Sequence, residues 1–224
     1  STNGKGGDMI LSIGSGTTYT GGDIILKGGE STYVSGGTGG SISISTGYGS
    51  TTSSGALIVS TKDSGTKGVS GKLSFTSGTT SSGSSGSIEM YTGASTNGEG
   101  GDVLISLGKS SSHFGGDIRM IMGDSKPLTG GALSLQTGEG TYTTSGSIVL
   151  STVNSGTKGV SGKLSFTSGT TSSGSSGSFS VSTGMSTNGK GGDMILSIGS
   201  GTTYTGGDII LKGGESTYVS GGTG

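Results

Sequence analysis

A glycine followed by two alternating apolar residues recurs along the whole chain. The motif Gly-x-h-x-h, with h apolar, begins at Gly7, Gly22, Gly40, Gly55, Gly71, Gly86, Gly101, Gly116, Gly131, Gly146, Gly162, Gly177, Gly192 and Gly207. The steps are 15 residues, apart from one of 18 and two of 16, so the chain holds 14 copies of a unit of about 15 residues. Larger repeats lie above this one. Residues 1–39 recur unchanged at 186–224, an offset of 185, and residues 64–87 recur unchanged at 155–178, an offset of 91. A fixed short period constrains a fold more than composition does, because each unit must do what its neighbours do.

In each unit the second and fourth residues after the glycine are apolar. The fourth-position residues include Leu11, Leu26, Ile44, Phe75, Ile105, Leu135, Leu150 and Phe166, and Leu73 and Leu164 hold second positions. The residue between varies freely, as Ser43, Ser74, Glu89, Arg119 and Ser134 show. Alternation with one apolar face predicts a half-buried β-strand. The expected fold is therefore all-β: a β-solenoid with rungs of about 15 residues, about 14 rungs, and a super-repeat of 12 rungs or 185 residues. Residues 1–224 are expected to be one continuous array, a window of a longer repeat protein. Its core would be the ten residues just named.

The sixth position is mostly Thr or Ser, as at Thr46, Thr61, Ser77, Thr92, Thr137 and Thr183. A small hydroxyl there is expected to face inward and bond to backbone, with the glycine that usually follows turning a corner at positive φ. The Ser/Thr-rich remainder of each unit would form a second, thinner strand, irregular where Pro127 removes a donor. The long step from Gly22 to Gly40 reads as a loop insertion around Tyr33–Gly37. Burying two apolar side chains contributes roughly 3–6 kcal/mol. Ordering fifteen residues costs of order 15–30 kcal/mol of backbone entropy. One unit cannot order itself, so stacking is expected to supply the difference. Neither end carries a helix, a charged strand or a proline that would blunt an open edge, which predicts axial continuation.

The chemistry available is narrow. Gly accounts for 54 of 224 residues and only 26% are hydrophobic, too few for an ordinary core of this length. Glycine without a G-X-Y period or abundant proline excludes collagen. A formal net charge of −1 gives no electrostatic reason for a nucleic-acid partner. No apolar run approaches the ~18 residues of a membrane span. There is no Cys, which excludes disulfides and thiolate metal sites. The only His, His113, follows Ser112 in a Ser-rich segment, where adjacency carries no information. The stretch from Gly184 to Lys190 approaches a phosphate-binding loop, but Gly191 fills the hydroxyl position and no helix is expected after it. No catalytic residue and no cofactor are expected, and the chain does not read as an enzyme.

Two further groups stand out. Asp follows the anchor glycine in neighbouring units, and in the middle copy Glu99 takes the place that Lys5 and Lys190 hold elsewhere. Glu99, Asp102 and Asp117 are the candidate calcium ligands, against the plainer reading of a solvated acidic ladder. Ile10, Ile25, Tyr19, Tyr33, Leu104 and Ile121, with the copies Ile195, Ile210, Tyr204 and Tyr218, are outward yet apolar or aromatic. They are the candidate lateral contacts, expected to form a stripe for homo-assembly. No Asn-x-Ser/Thr sequon exists, whereas the Ser/Thr runs are candidate O-glycan acceptors.

The units GGSISISTG, SGSIVLST and GGDIILKGG resemble the Gly/Ser/Thr-rich repeat proteins of stramenopile algae and oomycetes, of the kind associated with extracellular fibres and tubular flagellar hairs, the mastigonemes. The resemblance covers the whole chain and is one of composition and period. It implies a structural protein forming the shaft of an extracellular or cell-surface filament, partnered by itself and by glycans, with no membrane insertion. The rival expectation is a surface adhesin or binding solenoid that contacts carbohydrate, mineral or ice.

Overall fold

The fold was described from a computed structural model, which covers residues 5–126 and 128–215. Pro127, Tyr218 and the two chain ends, on which sequence expectations fall, lie outside the described residues. Among the described residues there is no helix and no β-strand. This overturns the all-β solenoid: the chain is open coil, punctuated at regular intervals.

The punctuation keeps the sequence period. Bends fall at 66–68, 81–83, 96–98 and 111–113, and again at 141–143, 157–159, 172–174, 187–189 and 202–204. Between 113 and 141 the bends fall at Lys126 and Leu128, and elsewhere between these bends the backbone runs without one. At some anchor glycines the N–H returns to the glycine that closed the previous arm. Gly22 N–H donates to the Gly14 carbonyl at 3.4 Å, Gly55 to Gly47 at 3.1 Å, Gly131 to Gly123 at 2.9 Å and Gly146 to Gly138 at 3.1 Å. The 18-residue unit closes a wider loop, Gly40 to Gly29 at 2.8 Å, around a turn at 34–35. Five units thus end in a loop pinched at its base.

The chain divides into two units, Ser1–Ile118 and Arg119–Gly224. The first holds the pinches at Gly14, Gly29 and Gly47, and the second those at Gly123 and Gly138. Contacts are mostly between residues close in sequence.

The expected core is not buried. No described residue is buried, and Leu11, Leu26, Ile44, Leu73, Phe75, Ile105, Leu135, Leu150, Leu164 and Phe166 each keep half or more of their surface in solvent. The chain exposes 22865 Å². A folded monomer of this mass would expose about 9,000 Å², and a fully extended one about 31,000 Å². The physical reason is the imbalance already visible in one unit. A two-stranded hairpin is marginal in water even with good strand formers. Here the arms are short and the flanking glycines lose the most entropy on ordering. In five units the first hydrogen bond of the would-be ladder closes, and no second one follows it among the described residues. The Ser/Thr-rich remainder of the unit forms the loop itself rather than a second strand.

Corner geometry also differs from expectation. The glycines that close the arms, such as Gly14, Gly47 and Gly138, do not have positive φ. That conformation falls instead on Gly36, Gly68, Gly83, Gly159 and Gly174, at or beside the bends. Loop hydroxyls bond locally. Thr80 Oγ1 accepts from the Ser82 N–H at 3.3 Å and donates to the Ser82 carbonyl at 2.8 Å, and Thr171 repeats this with Ser173.

Candidate assembly surface

The anchor glycine is required by packing. A side chain at Gly146 would meet Thr137 Cβ at 3.2 Å, one at Gly101 would meet Thr92 Cβ at 3.3 Å, and one at Gly71 would meet Thr61 Cγ2 at 3.2 Å. The approach is tightest at Ile13, whose Cγ2 lies 2.5 Å from the position a Gly22 side chain would take, and loosest at Leu107, 3.7 Å from that at Gly116. The sixth residue of one unit therefore lies on the anchor glycine of the next. It does so with carbon atoms, and no hydrogen bond from these hydroxyls to backbone is found among the described residues, contrary to expectation. The loop tips are closed equally tightly. An added Cβ at Gly49 would lie 2.5 Å from the Ser53 carbonyl oxygen, and one at Gly140 would collide with the Thr144 carbonyl.

Gly140→Ala should therefore open its loop and break the Gly146 N–H bond to Gly138. One backbone hydrogen bond contributes about 1 kcal/mol, so exchange of the Gly146 amide should accelerate about fivefold. Amide exchange measured by NMR, with Gly55 as an internal control, tests this. An unchanged Gly146 rate would mean that the loop tolerates the methyl group.

In two places the fourth residue of one arm approaches the second residue of the next. Phe166 and Phe179 stack with ring centroids 6.3 Å apart and planes at 27°. At the equivalent place 91 residues earlier, Phe75 faces Ile88, and the two line a shallow hollow with Glu89 and Met90. The smaller Ile88 leaves open the space that Phe179 fills. The third-position Glu89 lines this hollow beside the second and fourth residues, Ile88 and Met90. Leu73 at a second position is 50% exposed and Leu104 at a third is 86% exposed. The difference follows the alternation in part only, since Met9 at a second position and Leu211 at a fourth are 86% and 88% exposed.

The lateral candidates are all in solvent, from 70% exposed for Ile25 and Tyr33 to 90% for Tyr19. Ile10, Ile25 and Leu104 hold third positions of arms and Ile121 a fifth, whereas Tyr19 lies in the bend at 17–19 and Tyr33 beside the turn at 34–35. Ile195 and Ile210 repeat the arm positions and Tyr204 the bend. Ile58 and Val149 are third-position apolar residues of the same kind, 82% and 81% exposed, which the sequence reading passed over. Tabulating third positions by themselves would have found them.

Charged groups pair only locally. Lys5 Nζ lies 2.8 Å from Asp8 Oδ2, and Lys190 repeats this with Asp193 at 2.8 Å. Both pairs are largely exposed, where such pairs contribute little. Glu99, Asp102 and Asp117 are not brought together: among the described residues no group of three potential ligands could hold a metal ion. Ser112 Oγ and His113 Nδ1 are 2.9 Å apart, and the His113 N–H donates to Ser110 Oγ at 3.0 Å. Both residues are exposed, and among the described residues no carboxylate bonds the ring, so the contact is one of loop geometry. No helix is long and apolar enough to cross a membrane among the described residues.

Comparison with known proteins gives no relative: no family model matches the chain, and neither a curated protein nor a solved structure matches it.

Proposed function

We propose that this chain is a structural repeat protein of an extracellular or cell-surface filament, and that it works by associating with copies of itself. One observation carries the reading. Every unit presents apolar side chains at its second and fourth positions, and none of those described is buried within the chain. Monomeric proteins seldom expose apolar surface on this scale, and repetition multiplies each weak contact along the array. The near-zero net charge leaves like chains free to approach. The Gly/Ser/Thr-rich composition and tandem identity fit a fibre polypeptide, whose value lies in length.

Sedimentation and electron microscopy of the chain over rising concentration test this. Filaments or large oligomers are the expected result. A monodisperse monomer at high concentration would overturn it.

A further inference from the structure

Three of the four Asn residues stand directly before a glycine, at Asn3–Gly4, Asn97–Gly98 and Asn188–Gly189, and the fourth, Asn154, stands before Ser155. The first pair lies outside the described residues. The other two hold the same place in their units, in the exposed bends at 96–98 and 187–189. Among the described residues no hydrogen bond engages either Asn side chain or the N–H of Gly98 or Gly189. Apart from its chain neighbours, the one heavy atom within 4 Å of the place a Gly98 side chain would take is Ser95 Oγ, at 3.2 Å. Ser186 Oγ stands likewise 3.1 Å from that place at Gly189. Each glycine is in solvent, has no side chain to shield its nitrogen, and lies outside any ladder that would hold its N–H.

We propose that Asn97 and Asn188 are sites of spontaneous deamidation through a cyclic imide. The backbone nitrogen of the glycine gives up its proton to water or hydroxide and attacks Cγ of the preceding Asn. The new N–Cγ bond closes a ring, the bond from Cγ to the side-chain nitrogen breaks, and that nitrogen leaves as ammonia. Water then opens the ring at either carbonyl, giving Asp or the isoaspartyl form, in which the backbone runs through the side chain. One water is taken up and one ammonia released, with no oxidation or reduction. Asn154 has the same side chain but a different neighbour. Ser155 carries a side chain beside the attacking nitrogen, and its hydroxyl donates to the Gly156 and Gly159 carbonyls at 3.4 and 3.3 Å. Each conversion adds one carboxylate, so the two described sites take the formal net charge from −1 to −3. The surroundings differ. Position 97 gains its charge two residues before Glu99, and position 188 two residues before Lys190, which is paired with Asp193 at 2.8 Å.

Incubation of the full chain at neutral pH, followed by peptide mapping and isoelectric focusing, tests this against the free peptides STNGEG and STNGKG. Residues 97 and 188 should each gain the mass difference between Asn and Asp, split between Asp and isoaspartate, at the rate of the peptides. Asn154 should keep its mass over the same period, and the focused bands should step to the acid side. A backbone hydrogen bond to the glycine N–H would slow conversion about fivefold. A rate that far below the peptides' would overturn the proposal, because the bends would then hold the amide. Conversion of Asn154 at an equal rate would overturn it too, since the glycine would not be what selects the site. Gly98→Ala should hold back position 97 and leave position 188 as the standard within the same molecule, and equal rates at the two would count against the proposal.

Discussion

Replacing Leu73, Phe75, Leu164 and Phe166 together with Ser should abolish assembly of the chain. These four keep between 50% and 68% of their surface in solvent, so most of their burial is still to be gained. Full burial of such a side chain contributes about 1.5–3 kcal/mol. With roughly half to two-thirds of that outstanding, the four together amount to about 3–7 kcal/mol, or a hundredfold and more in association. Sedimentation across a concentration series reads this directly. Because no described residue is buried, the substitutions have no core to disturb, and the bends and pinches should persist. A shift below tenfold would show that the inner positions are not the contact.

Replacing Ile10, Ile25, Ile195 and Ile210 with Thr should separate associated chains side from side. All four are outer residues, from 70% to 83% exposed. Filament width and mass per length in electron micrographs should both fall, with the inner positions untouched. If both quantities hold, the lateral contacts lie elsewhere, on the Ser/Thr loops or on glycans attached to them. The two experiments separate the inner row from the outer one, since each leaves the other side intact.

The period was legible in the sequence, whereas the bends fall where a second strand was expected, as at 17–19, 81–83 and 111–113. Gly-x-h-x-h marks the arms because alternation is a local property, and the ordering of exposure from Leu73 to Leu104 follows it. Pairing of the arms was not legible. It depends on a sum over many weak terms, and the glycines that punctuate the units also raise the cost of ordering them. The anchor glycines were read as strand markers, whereas their packing role appears only once Thr137 is seen lying on Gly146, or Ile13 on Gly22. The acidic cluster failed for a related reason. Glu99, Asp102 and Asp117 would converge only if successive units stacked, and in the open chain they do not.

The pinched loops give the chain a store of hidden length. Gly138 and Gly146 are joined by one hydrogen bond of 3.1 Å, yet the eight residue steps between them could span up to about 27 Å when drawn straight. A bond contributing about 1 kcal/mol yields early under tension and reforms once the load is removed. Loops that open one after another would let a thread lengthen before any covalent bond or chain-to-chain contact is strained. Because each closure is local to its own loop, one opening does not unravel its neighbours. Single-molecule stretching should record a soft, reversible extension without hysteresis. Abrupt, irreversible steps would mean that the loops do not act as springs.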